Sequence, residues 1–207
     1  MAASFADLRK RFAKSSTAFA KGLSEWCALQ DEACALCTSC LNMMNRTPAM
    51  SEVRFFTIFE DPENFQKRAL TKHLGLIENT FNKLQQNRIK LLSLARQLQK
   101  QTDTAQRLLH ASSGTPRSDQ SALLESLATG MRDLSTMALN DSAVRSAALD
   151  EIDPDSSPGK LAALSQLILD HPCMDLIRWH RFREMNDVLQ ANRPSLSSRH
   201  LVIFDRR

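Results

Sequence analysis

The sequence predicts an all-α protein, built as an elongated helical hairpin or coiled coil with a smaller C-terminal helical unit. Its 207 residues include only five Gly and seven Pro, the residues that interrupt helices most strongly. Long stretches lack both, and their apolar residues recur at spacings of three and four, as along the buried face of a helix. The longest apolar runs fall well short of the roughly 20 residues needed to span a bilayer, so no membrane contact is predicted.

Residues 1–48 are predicted to form one N-terminal helix or two abutting helices. No Gly or Pro lies between Gly22 and Pro48, and apolar residues recur at helical spacing from Leu23 to Met44. The first 22 residues are basic, amphipathic and contain several Ser. This pattern is also typical of a mitochondrial presequence, although Asp7 argues against one.

Four cysteines lie close together in this segment, at positions 27, 34, 37 and 40. A rise of about 1.5 Å per residue puts the α-carbons of Cys34 and Cys40 about 9 Å apart along a helix axis, which prevents several thiolates from sharing one zinc ion. We therefore expect reduced thiols and no metal, with Cys27, Cys34 and Cys37 buried or half-buried and Cys40 more exposed. The alternative, a metal site, requires an unwound segment.

Residues 51–110 are predicted to form a short helix and then a long one, which Asp61 caps and Pro62 begins. Two series of residues spaced by seven form a heptad seam on the long helix, and a seam of this kind packs against another helix. That helix belongs either to the same chain, as an internal hairpin, or to a partner. The predicted partner-binding residues are Leu70, Leu74, Ile77, Phe81, Leu84, Arg88, Leu91, Ala95 and Leu98.

The rest of the chain alternates linkers with shorter helices. Residues 111–119 form a predicted linker, residues 120–149 a helix, and residues 150–157 an acidic linker. Residues 158–190 are predicted as a C-terminal helical hairpin. Residues 191–207 are a tail whose apolar alternation fits a short strand or a docking peptide, with disorder as the third alternative.

The sequence contains no recognisable catalytic motif. It contains no Gly-rich phosphate loop, metalloprotease His pair or calcium loop, and its five His residues are scattered. We therefore expect a protein that is not an enzyme and has no cofactor and no small-molecule substrate. The net charge of +4 is mild, which leaves contact with nucleic acid open. Trp179 and Phe182 share a helical face that the neighbouring Arg residues leave, so core packing is predicted for them.

The stretch "FQKRALTKHLGLIENTFNKLQQNRIKLLSLARQL" resembles the central helix of a small helical family called AIRIM in humans. An upstream pattern from Trp26 to Cys34 falls in the corresponding place. The likeness within the helix rests on Arg68, Lys72, Leu74, Glu78, Lys83, Leu84, Leu91 and Leu92.

This resemblance implies an accessory subunit that associates with a pair of AAA ATPases maturing the large ribosomal subunit. It also implies a second small helical partner, the cyclin-dependent kinase 2-interacting protein, and a location in the cytoplasm and nucleus. A generic tethering or cytoskeletal coiled-coil subunit is the main alternative function. A mitochondrial assembly factor and a cysteine metal-binding protein are the others.

Overall fold

A computed structural model describes residues 5–111, 119–153, 156–170 and 173–191, and these residues are almost entirely helical. The prediction of an all-α fold is confirmed, since no strand occurs in these ranges. A short 3-10 helix, Val53–Phe56, separates the first two long helices. The α-helices are α1 (Phe5–Met50), α2 (Pro62–His110), α3 (Asp119–Asp150), α4 (Pro158–Leu169) and α5 (Leu176–Gln190).

The helix ends follow from local sequence signals. Asp61 accepts a hydrogen bond at 3.2 Å from the backbone N–H of Asn64 at the start of α2, and Ser157 does the same for Lys160 at 3.3 Å in α4. Helix α1 includes Pro48 and ends two residues later. This is expected because Pro lacks the backbone N–H of a helical hydrogen bond and disrupts the helix around it. Most of the predicted linker 111–119 and of the tail 191–207, with its apolar alternation, lies outside the described residues.

Helix α1 carries a regular buried stripe whose spacing alternates between four and three residues. This is the heptad pattern of helices packed side by side. Its members are Phe12, Ser16, Phe19, Leu23, Trp26, Gln30, Ala33, Cys37, Cys40 and Met44, all of which are buried.

Helix α2 buries most of the predicted heptad seam, but the seam departs from the prediction around Leu74 and Arg88. Leu74 is 48% exposed, whereas its neighbour His73 is buried, and Asn87 is buried beside a half-buried Arg88. A hydrogen bond holds His73 inward, since its Nε2 lies 2.9 Å from the Met43 carbonyl oxygen. The buried apolar residues along the seam are Ile77, Leu84, Leu91, Ala95, Leu98 and Ala105.

The chain divides into two compact units. The first comprises residues 1–24, 95–138 and 174–207. In it Phe182 of α5 meets Phe19 of α1 edge to face, with ring centroids 5.3 Å apart. A Cβ added at Gly130 of α3 would lie 3.4 Å from the Phe182 ring, so a small residue there lets α5 approach closely. Trp179 and Phe182 are buried, which confirms their predicted core role.

The second unit comprises residues 25–94 and 139–173. Asn87 Nδ2 of α2 donates to Glu32 of α1 at 3.1 Å, and His73 reaches Met43, so these two stretches run antiparallel. Trp26 Nε1 of α1 donates to Ser142 Oγ of α3 at 3.4 Å. Helix α4 belongs to this unit and α5 to the first, so the predicted hairpin 158–190 is divided between the units.

A Leu84→Ala substitution should lower the free energy of unfolding by about 2–5 kcal/mol, because it leaves a cavity in the core. Leu84 is 1% exposed, whereas Leu76 on the same helix is 49% exposed. Chemical denaturation followed by circular dichroism measures both substitutions. Leu76→Ala should change the stability little, and an equal effect of the two substitutions would contradict the burial of the α2 seam.

Candidate partner-binding surface

Five of the nine predicted partner-binding residues are buried against the chain's own helices. Packing within the chain therefore accounts for these five residues. The remaining four reach the solvent: Leu74 is exposed, and the other three are half-buried. We call these four, Leu70, Leu74, Phe81 and Arg88, the α2 strip. The five buried residues are Ile77, Leu84, Leu91, Ala95 and Leu98.

Arg88 marks one end of the α2 strip and is already paired. Its guanidinium binds the carboxylate of Asp150 on α3, and its Nη1 also lies 3.4 Å from Gln85 Oε1. Asp150 is 59% exposed, and ion pairs at such positions contribute only about 0–1 kcal/mol. Arg88 can therefore exchange Asp150 for a partner carboxylate at little cost in stability.

A second accessible apolar surface lies between α1 and α2, and we call residues 52–65 the aromatic tip. The sequence presents it only as a short apolar piece, "VRFFTIF", which resembles core. Its 3-10 helix contains no buried residue. Its apolar composition carries no signal that distinguishes an exposed turn from a segment of the core. Its apolar members are Val53, Phe55, Phe56, Ile58, Phe59 and Phe65.

Inside the second unit, a buried polar cluster joins α1 to α3. The Asp141 carboxylate accepts hydrogen bonds from Gln30 Nε2 and, at 2.6 Å, from Arg145 Nε. Both members of the ion pair are almost fully buried, since the Asp141 side chain is 0% exposed and the Arg145 side chain 4%. Arg145 Nη1 also lies 3.5 Å from Cys34 Sγ. The ion pair itself lies within α3, so the contacts that join this helix to α1 are those of Gln30 with Asp141 and of Cys34 with Arg145.

An Arg145→Met substitution should cost about 3–5 kcal/mol of stability, since it leaves the Asp141 charge buried and uncompensated. The Asp141→Asn, Arg145→Met double variant removes that charge and should recover part of the loss. Urea denaturation measures the three proteins. A double variant less stable than Arg145→Met alone would contradict the assignment.

The cysteines of α1 line its inner face. Cys37 is buried and Cys27 and Cys34 are half-buried, as predicted. The prediction was wrong for Cys40, which is 0% exposed, because Cys40 lies seven residues after Ala33 and three after Cys37 on the buried stripe. Among the described residues, no group of three or more potential ligands is arranged to hold a metal ion.

Burial raises the pKa of the Cys37 thiol to about 12, with smaller contributions from Cys40 and Cys34. The neutral thiol therefore stabilises the fold fully below pH 9, where the unfolded chain also keeps its proton. That contribution is lost as the pH rises from about 9 towards 12.

The stability difference between the wild type and Cys37→Ala should consequently narrow as the pH rises from about 9 to 11. Denaturation midpoints of both proteins across this range measure the difference, in which the effects of titrating groups distant from Cys37 cancel. A difference that stays constant would show that the Cys37 thiol does not keep its proton in the folded state.

Comparison with known proteins gives one informative match. A family model described as "Ribosome biogenesis protein C1orf109-like" matches residues 6–191, which is most of the chain. AIRIM is the C1orf109 family, so this match agrees with the resemblance in the sequence. No match was found among curated proteins or among solved structures. None of the described helices has the combination of length and apolar character that crossing a membrane needs.

Proposed function

This chain belongs to the C1orf109-like family of ribosome biogenesis proteins, and we propose that it acts in that process as a non-enzymatic helical adaptor. The observation that carries this proposal is the α2 strip. Leu74 is 48% exposed, although the inner face of the same helix is packed against the chain's own core. Leu70 and Phe81 are half-buried and lie at helical spacing on the same side as Leu74. A partner helix could bury these side chains by ordinary helix packing.

The partners that we propose come from the resemblance to AIRIM. They are a pair of AAA ATPases acting on the large ribosomal subunit and a second small helical subunit. In this assignment the ATPases perform the chemistry, and this chain supplies a rigid surface that holds them together. The proposed locations are the nucleus and the cytoplasm, where ribosomal subunits mature.

The geometry supports helix packing as the mode of binding. Leu70, Leu74 and Phe81 are spaced by four and seven residues, so they form one line along α2. Arg88 continues the line by another seven residues and offers a cation at its end. A partner helix with apolar residues at matching positions and a carboxylate opposite Arg88 would complement the strip.

A Leu74→Glu substitution should release the proposed ATPases, because it places a charge in the apolar contact. Leu76→Glu is the matched control, since Leu76 is equally exposed, at 49%, and points to a different side of α2. The measurement is the amount of each ATPase that copurifies with the tagged chain, quantified by mass spectrometry. Circular dichroism of the purified variants checks that both remain folded.

We expect the ATPases to fall at least about tenfold for Leu74→Glu, which corresponds to about 1.4 kcal/mol of binding energy, and to stay unchanged for Leu76→Glu. Retention of the ATPases by a folded Leu74→Glu variant would show that the strip is not the interface. Recovery of vesicle or microtubule components in place of ribosomal precursors would favour a tethering subunit.

A further inference from the structure

The aromatic tip leaves its apolar side chains uncovered to an unusual degree. Ile58 is 86% exposed, Phe55 55% and Phe65 44%. Single exposed apolar residues are common on proteins, but a contiguous group of this kind marks an interaction site. The tip precedes the α2 strip in the sequence and shares none of its residues.

The tip is held in a defined shape. Phe59 stacks on Phe65 with ring centroids 3.8 Å apart and an angle of 12° between the rings. The ring centroid of Phe56 lies 5.9 Å from that of Phe65. Gln66 Nε2 donates to the carbonyl oxygens of Met50 and Ser51 at 3.3 and 3.2 Å, which fixes the turn onto the start of α2. A surface ordered in advance loses less entropy when it binds.

The rim of the tip is acidic, although the chain as a whole carries a net charge of +4. Four carboxylates, those of Glu52, Glu60, Asp61 and Glu63, accompany one guanidinium, that of Arg54. Arg54 is bound to Glu52 and lies 5.0 Å from the Phe55 ring. In the part of the chain that the structure describes, no cation is paired with Glu60 or Glu63.

The negative charge of the rim indicates which class of ligand the aromatic tip favours. Nucleic acids and cytoplasmic membrane surfaces are both negatively charged, and basic groups attract proteins to them. An acidic rim opposes both. It favours a positively charged protein segment, because opposite charges around an apolar centre direct encounter and orientation.

We propose that the aromatic tip binds a basic segment of a partner protein that places apolar side chains against Phe55, Ile58 and Phe65. Arg or Lys residues of that segment lie beside Glu60 and Glu63. The inference deepens the proposed adaptor function, and rests on it, by assigning the tip a partner chemistry different from that of the α2 strip.

The test uses the full chain and two short fluorescein-labelled helical peptides. Both peptides carry Leu and Phe at spacings of three and four, but one has Arg and the other Glu at the flanking positions. Fluorescence anisotropy measures their affinity for the wild type, for Ile58→Asp and for the double variant Glu60→Lys, Glu63→Lys. Ile177→Asp is the matched control, since Ile177 is 80% exposed on α5, away from the tip in sequence.

The wild type should bind the Arg peptide at least about tenfold more tightly than the Glu peptide. Ile58→Asp should lose this binding, Ile177→Asp should keep it, and the double charge reversal should invert the preference. Equal affinity for the two peptides, no binding of either, or unchanged binding by Ile58→Asp would overturn the proposal. Binding of the wild type to vesicles of anionic lipid, lost in Ile58→Asp, would overturn it in favour of a membrane.

Two further measurements separate the remaining explanations. A variant lacking residues 192–207 tests the chain's own tail, which is also basic and apolar. Tighter peptide binding after this deletion would assign the tip to the tail and overturn the partner assignment. In the copurification assay, loss of the ATPases with Leu74→Glu but not with Ile58→Asp would leave the adaptor function standing without the tip. Retention with both would contradict both proposals.

Discussion

The buried heptad stripes of the long helices are the constraint on which the rest of the structure depends. On α1 the stripe runs from Phe12 to Met44 with alternating spacings of four and three. Helices α1, α2 and α3 extend over 46, 49 and 32 residues, and lengths of this kind are stable when one face is buried along most of the helix. Because the stripes face one another inside each unit, the surfaces left for partners are the helix edges and the turn between α1 and α2.

Apolar stripes alone specify the register between two helices poorly, since one Leu packs as well as another at most positions. Buried polar contacts between helices add to this specificity. In the second unit Asp141 of α3 accepts a hydrogen bond from Gln30 Nε2 of α1. In the first unit Thr102 Oγ1 of α2 lies 3.2 Å from the Met131 carbonyl oxygen of α3. A shift of one helical turn would break these contacts between helices and leave the Gln30 amide buried without its partner, at a cost of about 1–3 kcal/mol.

Periodicity was sufficient to predict the all-α fold and the inner face of α2, because helix formers and heptad spacing act locally. It was insufficient where neighbouring residues compete for the inner face. At positions 73 and 74 the sequence favours Leu74, yet His73 turns inward because Met43 and Thr47 of α1 offer it hydrogen bonds. The exposure of Ile58 was also hidden, since an apolar run has the same composition whether it is covered or open. The α1 stripe, by contrast, was present in the sequence, and its register would have predicted the burial of Cys40.

The central claim is that the inner face of α2 packs against the chain's own helices, so that partners bind the exposed edge of this helix and the aromatic tip. Hydrogen–deuterium exchange of the isolated chain, without partners, tests this most directly. The account predicts that amides from Ile77 to Ala105 exchange at least about 100-fold more slowly than in an unstructured peptide, because they open only with the packed unit. Exchange at the rate of an unstructured peptide, slowed only when a partner is added, would show that the seam is an intermolecular interface.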